Sequence, residues 1–490
     1  MVRRPHRCFA RLLGLPLFLV IVASVPSGVN GAAARLEGVT LQISAIEPSY
    51  AYGMRKFADE IQSKYGIKFQ FDTVTVEQSF QRDMLEFSGG RASHDIVLFL
   101  PSALPDYSRF LEPVAALAKQ YGATLDVGND VLPTYRTYYT WDNVAYGAPF
   151  DCGGRFLAYN QAAFARPQNR QAFKAKYGYD LIPPQTWAQY RDAAEFFATT
   201  DWTGRGGTKA GAIEVWRRGL WAWVWWLDRF AAYGGVYFDQ QMRPLINAPA
   251  GLRALENMLA VKKYLPSDVA TSTNPALRSL FIRGEVPMFT TWGSTAEIGQ
   301  DPAASQIMGN LGLALIPGVK TAQGVYRRPV FGAGWTAGIP KYSTHKEAAV
   351  YALALLMDAA HQTAMDEDPK TLMKPCRISA LRDPGYPRKW ANYPGYARQY
   401  IDLSLKNGEL GMPDLQIPGA VEYIVAADLQ INLAVTGQKD PRQALDDAAA
   451  EWNKITDRLG RTQQQRMWSV QSAALKRLGI TYRAELANAP

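Results

Sequence analysis

Histidine and cysteine are close to absent from this chain, with four and three among 490 residues. His6 and Cys8 lie near the start, which leaves His94, His345, His361, Cys152 and Cys376 for everything that follows. None stands in a Cys-Cys or His-x-x-x-His spacing, so no metal site is expected. The same shortage removes Ser-His-acid catalysis, because no nucleophile elbow accompanies any of the three later histidines. Runs of one charge are missing too: Lys and Arg are dispersed, which argues for a solvated surface and against a nucleic-acid stripe. The longest apolar run, Leu15 to Val25, is roughly a dozen residues, well short of the ~20 that cross a bilayer. The glycine-rich stretch Gly204 to Gly211 lacks the Gly-Lys-Ser/Thr ending of a phosphate cradle and reads as a loop, and no cofactor is expected.

What the chain does have begins with a leader. Arg3, Arg4, Arg7 and Arg11 precede the apolar run, and Val29 to Ala34 supplies small residues for cleavage, which predicts a signal peptide over 1–34 that is removed on export. Cys8 precedes the apolar core, so no lipid-modified cysteine is indicated. A soluble periplasmic protein is the expectation. The formal charge of +9 falls to about +5 without the four leader arginines. With 48% apolar and 20% charged residues, a chain of this length predicts more than one hydrophobic core. Outside the cytoplasm Cys152 and Cys376 are permitted to pair, and two separate buried thiols are the alternative.

Val39, Leu41 and Ile43 alternate with polar neighbours; Met54, Phe57, Ala58, Ile61 and Tyr65 then share a helical face that Gly66 stops. Ile67, Phe69 and Phe71 alternate again, completing a β-α-β unit. A helix from about Glu77 to Phe87 and a buried strand from Asp95 to Leu100 follow, stopped by Pro101. The strand ends feed loops at Glu47 to Tyr50 and Phe99 to Leu104, where open α/β sheets bind ligands. Thr186-Trp-Ala-Gln189 and Thr344-His-Lys-Glu347 read as capping boxes, and Asp440-Pro441 as a further helix start.

Trp216, Trp221, Trp223, Trp225 and Trp226 crowd into eleven residues, more indoles as a group than a core is expected to need, although for any single ring a core position is the plainer reading. Flat rings with polar edges suit a sugar. Arg283 to Ser294 reads as helix end, glycine turn and buried strand, with Trp292 at the exit, and Val330 to Trp335 carries glycines that admit close backbone approach. Carboxylates for glycoside hydrolysis are plentiful, but no spacing singles out two of them. A secreted glycosidase is therefore the competing reading.

Several short segments follow one another in order along nearly the whole mature chain: Lys64-Tyr-Gly-Ile-Lys68, His94-Asp-Ile-Val97, Tyr146-Gly-Ala-Pro-Phe-Asp151 with Leu157-Ala-Tyr-Asn160, and Pro183-Pro-Gln-Thr-Trp187. Ala232-Tyr-Gly-Gly235, Phe281-Ile-Arg-Gly-Glu285, Gly332-Ala-Gly-Trp335, Pro375-Cys-Arg377 and Met412-Pro-Asp414 continue the series. Together they resemble the family 1 extracellular solute-binding proteins of ABC importers, of the maltose-binding, carbohydrate class. The resemblance implies a two-lobed α/β periplasmic-binding-protein fold, type II-like, each lobe a β-sheet flanked by helices, with the ligand cleft between them. Lobe 1 would be 35–150 plus 331–377 and lobe 2 151–330 plus 378–490, with crossings near Asp151, Phe331 and Arg377. It further implies capture of a carbohydrate or polyol by hinge closure, without bond-making, and delivery by a monomer to an ABC importer permease. Carried over, the ligand set is Glu47, Ser49, Tyr50, Phe99, Ser102, Asp151, Trp335 and Arg377 from the first loops and the crossings, with bracing of the hinge as the alternative role for Asp151 and Arg377. Trp221, Trp225, Trp292, Glu422 and Tyr423 complete it from lobe 2. Where the maltose pattern has a tryptophan, an acid and an arginine on the second loop, this chain has Phe99, Ser102 and Ala103. Its hinge acid moves to Asp151, with Gly153 in the matched place, so a ligand other than maltose is implied. The hinge also brings Cys152 and Cys376 into one neighbourhood.

Overall fold

The computed structural model describes residues 36–489 except 47, 75, 129, 205, 207–209, 332–333, 369, 372 and 388–393. The leader and Glu47 thus lie outside the described residues, as does part of the glycine-rich loop.

Two sheets organise the molecule into two lobes. The first runs, edge to edge, Lys68–Thr73, Thr40–Ala45, Ile96–Phe99, Trp335–Gly338 and Ala148–Asp151. Its first three strands are parallel, and Trp335–Gly338 runs antiparallel to both of its neighbours. The second sheet is antiparallel throughout, with Arg155–Asn160 between Met288–Trp292 and Leu311–Leu315. Asp151 ends the last strand of one sheet and Arg155 begins the central strand of the other, so the chain passes between lobes in four residues. Phe331 to Trp335 makes a second passage, from a short parallel pair with Met412–Pro413 into the first sheet. Cys152 and Cys376 are bridged at the first passage, their Cα atoms 4.8 Å apart.

The helix starts follow local chemistry. Thr186 caps Trp187–Thr199 with both halves of its capping box made, and Asp440 accepts from the amides of Arg442 and Gln443 ahead of Pro441–Arg458. The box expected at Thr344 does not form. Ser343, held by Asp95 at 2.6 Å, takes the His345 amide at 3.0 Å instead, and the helix Lys346–Leu356 begins a residue later without a side-chain cap.

Strand periodicity divides the first lobe's core. Ile96 and Leu98 face the main core with Leu41, Ile43, Phe150 and Leu353, whereas Val97 and Phe99 face a smaller cluster with Phe87, Tyr107 and Leu111. The second lobe's core is large and aromatic, and it absorbs most of the tryptophan run. Trp216, Trp223, Trp225 and Trp226 are fully buried, with their ring N–H groups donating to Glu214 (2.9 Å), Asp414 (3.1 Å), Thr290 (2.7 Å) and the Gly251 carbonyl (3.1 Å). The surplus expected from counting indoles is therefore core, because each polar edge finds a partner. Of the five, only Trp221, at the start of the helix Trp221–Ala232, keeps partial exposure. Among the described residues no helix is long and apolar enough to cross a membrane, and no cluster of His, Cys, Asp and Glu could hold a metal ion.

Candidate functional site

The four-residue passage from Asp151 to Arg155 has a polar and aromatic corner at each end. At the first, the helix Pro48–Arg55 follows directly on the strand Thr40–Ala45 and delivers Tyr50, whose hydroxyl donates to Asp151 Oδ2 at 2.8 Å. Tyr50 meets Phe150 and Trp335 edge to face, with ring centres 5.5 and 6.1 Å away. Lys374 completes the corner: its amide donates to Asp151 Oδ1 at 2.8 Å, and its ammonium lies 3.0 Å from Oδ2. Both members of this ion pair are more than nine-tenths buried. The Ser49 hydroxyl oxygen, one residue before Tyr50, is buried without a hydrogen-bond partner.

At the other end, Trp292 stands opposite Arg155 in the strand register. Its ring meets Trp221 and Trp225 edge to face at 5.7 and 5.3 Å. Arg155 donates through Nε to Asp228 Oδ2 at 2.8 Å, and Asp228 Oδ1 accepts from Val330 N at 3.2 Å, so this ion pair fastens the second passage to the first. Asp228 is fully buried, and burial pushes its carboxyl above the ordinary value while Arg155 pulls it back.

A further contact joins the lobes directly. Asp106, in the short helix Leu104–Tyr107 that follows Ile96–Phe99, accepts from the Gly419 amide with both carboxylate oxygens at 3.0 Å, at the start of the helix Ala420–Val435. Gln416 donates to the carbonyls of Pro101 (3.1 Å) and Thr137 (2.9 Å), and Val421 packs against the small cluster around Phe99 and Tyr107.

The ligand set taken from the resemblance divides on this geometry. Ser49, Tyr50 and Trp335 share the first corner, Trp221 and Trp292 the second, and Ser102 lies in the turn Pro101–Ala103 that Gln416 touches. Other members are committed elsewhere. Phe99 is the strand's last residue and points into the core, 5.0 Å from Tyr107. Trp225 is fully buried beneath Trp292 and bonded to Thr290. Asp151 has its oxygens taken by Tyr50 and Lys374. Arg377 is fully buried and holds Asp126 (2.8 Å) and the Met357 carbonyl (2.5 Å). Glu422 is exposed and paired with Arg458, while Tyr423 is buried against Trp452 with its hydroxyl 2.9 Å from Thr456. Val421 is the residue on that helix turn which reaches the first lobe.

Lys374, Arg155, Asp228, Asp106 and Gln416 were not singled out from the sequence. One of them carries a readable signal: Arg155 opens the apolar strand run Phe156-Leu157-Ala158 as its single charge. A lone charge inside a run that must be buried requires a partner of opposite sign.

A model of the family described as bacterial extracellular solute-binding protein matches residues 45–363, well over half of the chain. Among solved structures, an ABC transporter solute-binding protein from Agrobacterium radiobacter K84 in complex with ribitol is similar, at 20% identity and a TM-score of 0.71, over 86% of this chain and 99% of that one. Maltose-bound MalE3 of T. maritima matches at 20% identity and a TM-score of 0.70, over 85% and 100%. A solute-binding protein of Agrobacterium vitis S4 with bound D-mannitol matches at 20% and 0.68, over 86% and 99%. At this identity the likeness establishes the two-lobed fold. No curated protein matches the chain.

Proposed function

Because the chain belongs to the bacterial extracellular solute-binding proteins, we propose that it captures a carbohydrate or polyol between its lobes and hands it unchanged to an ABC importer permease. The observation that carries this reading is the pair of aromatic corners at the two ends of one short connector. Asp151 and Arg155 are four residues apart, so their Cα atoms are separated by at most ~14 Å, the span of one or two sugar rings. Tyr50 and Trp335 stand at one end, and Trp221 and Trp292 at the other. Structures with this fold hold ribitol, maltose and D-mannitol, all of which are rich in hydroxyls.

In the proposed mechanism Trp292 and Trp221 offer ring faces to the apolar side of the ligand, each worth about 0.5 to 1.5 kcal/mol beyond burial. Ser49, Tyr50, Trp335 and Ser102 supply the first lobe's wall. Ligand touches both walls only when the lobes are shut, and that differential binding drives closure. Asp151–Lys374 and Arg155–Asp228 keep the passages rigid while the lobes move. The lobes are 35–150 plus 331–377 and 151–330 plus 378–490, and the protein works as a periplasmic monomer after removal of 1–34, without enzymatic activity or nucleic-acid partner.

The test is a thermal-shift and calorimetric screen of mature protein against mono-, di- and trisaccharides, polyols and glycerol phosphates. A ligand-dependent rise in the midpoint without turnover is expected. Product release from oligosaccharides or chromogenic glycosides would replace this reading with the glycosidase one.

A further inference from the structure

The second corner holds a guanidinium with unused hydrogen-bonding capacity. Arg155 is fully buried, and its Nε is spent on Asp228, but Nη1 and Nη2 have no hydrogen-bond partner. Trp292 Nε1, at the same place in the strand register, is likewise buried and unpartnered. The guanidinium carbon lies 4.0 Å from the Trp225 ring centre and 4.5 Å from that of Trp292.

Arg229 provides an internal control. It is equally buried, on the same helix as Asp228, and uses every nitrogen: Nε to Asn257 at 2.8 Å, Nη1 to the Trp225 carbonyl at 3.0 Å, and Nη2 to Glu214 at 2.6 Å. This lobe therefore has the means to satisfy a buried arginine completely, and at Arg155 it does not. Stacking on two indoles compensates the buried charge but occupies no N–H. The three unpaired groups of Arg155 and Trp292 are all donors, and the free end of the guanidinium is the two-pronged edge that matches a carboxylate or a phosphate. At the backbone of the same residue, Asn407 donates Nδ2 to the Arg155 carbonyl at 3.0 Å and leaves Oδ1 buried without a partner, an acceptor suited to a hydroxyl.

We propose that Arg155 and Trp292 anchor an anionic group on the ligand, with Asn407 taking an adjacent hydroxyl, so that the chain selects acidic sugars or polyols over neutral ones. This rests on the capture function proposed above and deepens it. The route in runs past Trp292, a partly exposed member of the corner.

Titration calorimetry of the mature protein against matched pairs tests the proposal. Galacturonate against galactose and gluconate against glucose probe the carboxylate arm; ribitol 5-phosphate against ribitol and glycerol 3-phosphate against glycerol probe the phosphate arm. The acidic member of at least one pair is expected to bind tenfold or more tighter than its neutral partner, and the arm that responds identifies the anion. Arg155→Lys keeps the charge that Asp228 needs and removes the fork, and is expected to erase most of that preference. Trp292→Phe keeps a ring without the donor and is expected to weaken the acid more than the neutral sugar. Neutral ligands binding wild-type protein as well as or better than acids would overturn the proposal and leave sugar capture standing. Binding of neither kind, here or in the broader screen, would overturn both. The wild-type comparison decides even if a variant fails to fold.

Discussion

Replacing Asp106 by Asn should flatten part of the pH dependence of this protein. Asp106 reaches from the first lobe to the Gly419 amide at the N-terminus of Ala420–Val435. Burial lifts its carboxyl from the ordinary 3.8 to about 6, against the pull of the Gly419 amide and Arg109 and with a small push from Glu422. An acid whose pKa is higher in the folded, lobe-to-lobe state than in the unfolded chain favours that state when protonated. Its contribution is therefore greatest below about pH 4, declines as pH rises towards about 6, and is level beyond. At about 1.4 kcal/mol per tenfold change in acidity, the gap corresponds to at most about 3 kcal/mol. Solvent screening at a half-buried site reduces this to about 1 to 2 kcal/mol. Asn retains an oxygen for the Gly419 amide and cannot titrate. Urea midpoints of wild type and Asp106→Asn, measured from pH 4.5 to 7.5, should therefore diverge, with the variant gaining about 1 to 2 kcal/mol on wild type across that range. Parallel profiles would refute the reasoning, because they would mean that Asp106 ionises equally easily in both states.

The remaining predictions concern the hinge and the corner. Asp151→Asn leaves the Lys374 ammonium buried without its counter-charge and should cost about 3 to 5 kcal/mol in urea unfolding, whereas Asp151→Leu combined with Lys374→Met should recover much of the loss. Reducing the Cys152–Cys376 bridge, which closes a separation of 224 residues, should cost about 2 to 4 kcal/mol and lower the thermal midpoint, with no change expected in the Cys152→Ser, Cys376→Ser double variant on adding reductant. Trp292→Ala should weaken ligand binding at least tenfold by calorimetry with an unchanged far-ultraviolet circular dichroism spectrum. Undiminished affinity would remove Trp292 from the site.

Features set by neighbours along the chain are legible in the residues themselves. The alternation of Leu41 and Ile43, the stop at Gly66 and the cap at Thr186 each follow from local geometry, and the structure places strand, helix end and capping box there. Thr344 failed as a cap because the competing acceptor, Ser343, owes its position to Asp95 across 248 residues of sequence. The tryptophan run could not be divided for the same reason. Whether an indole is surplus depends on whether its N–H finds Glu214, Asp414, Thr290 or Gly251, and three of those four lie far away in sequence. Phe99 ends its strand, and the two-residue period places it on the face of Val97, towards the core and not in the loop that follows. On the helix Ala420–Val435, a shift of one residue decides between exposed Glu422, buried Tyr423 and interlobe Val421, a precision that a resemblance of short segments does not have.

Capture requires the two lobes to close on a guest. Small-angle scattering of the mature protein, with and without a saturating sugar or sugar acid found in the screen, measures it directly. A smaller radius of gyration is expected with ligand bound than without it. An identical radius in both conditions, for a ligand whose binding calorimetry confirms, would contradict it.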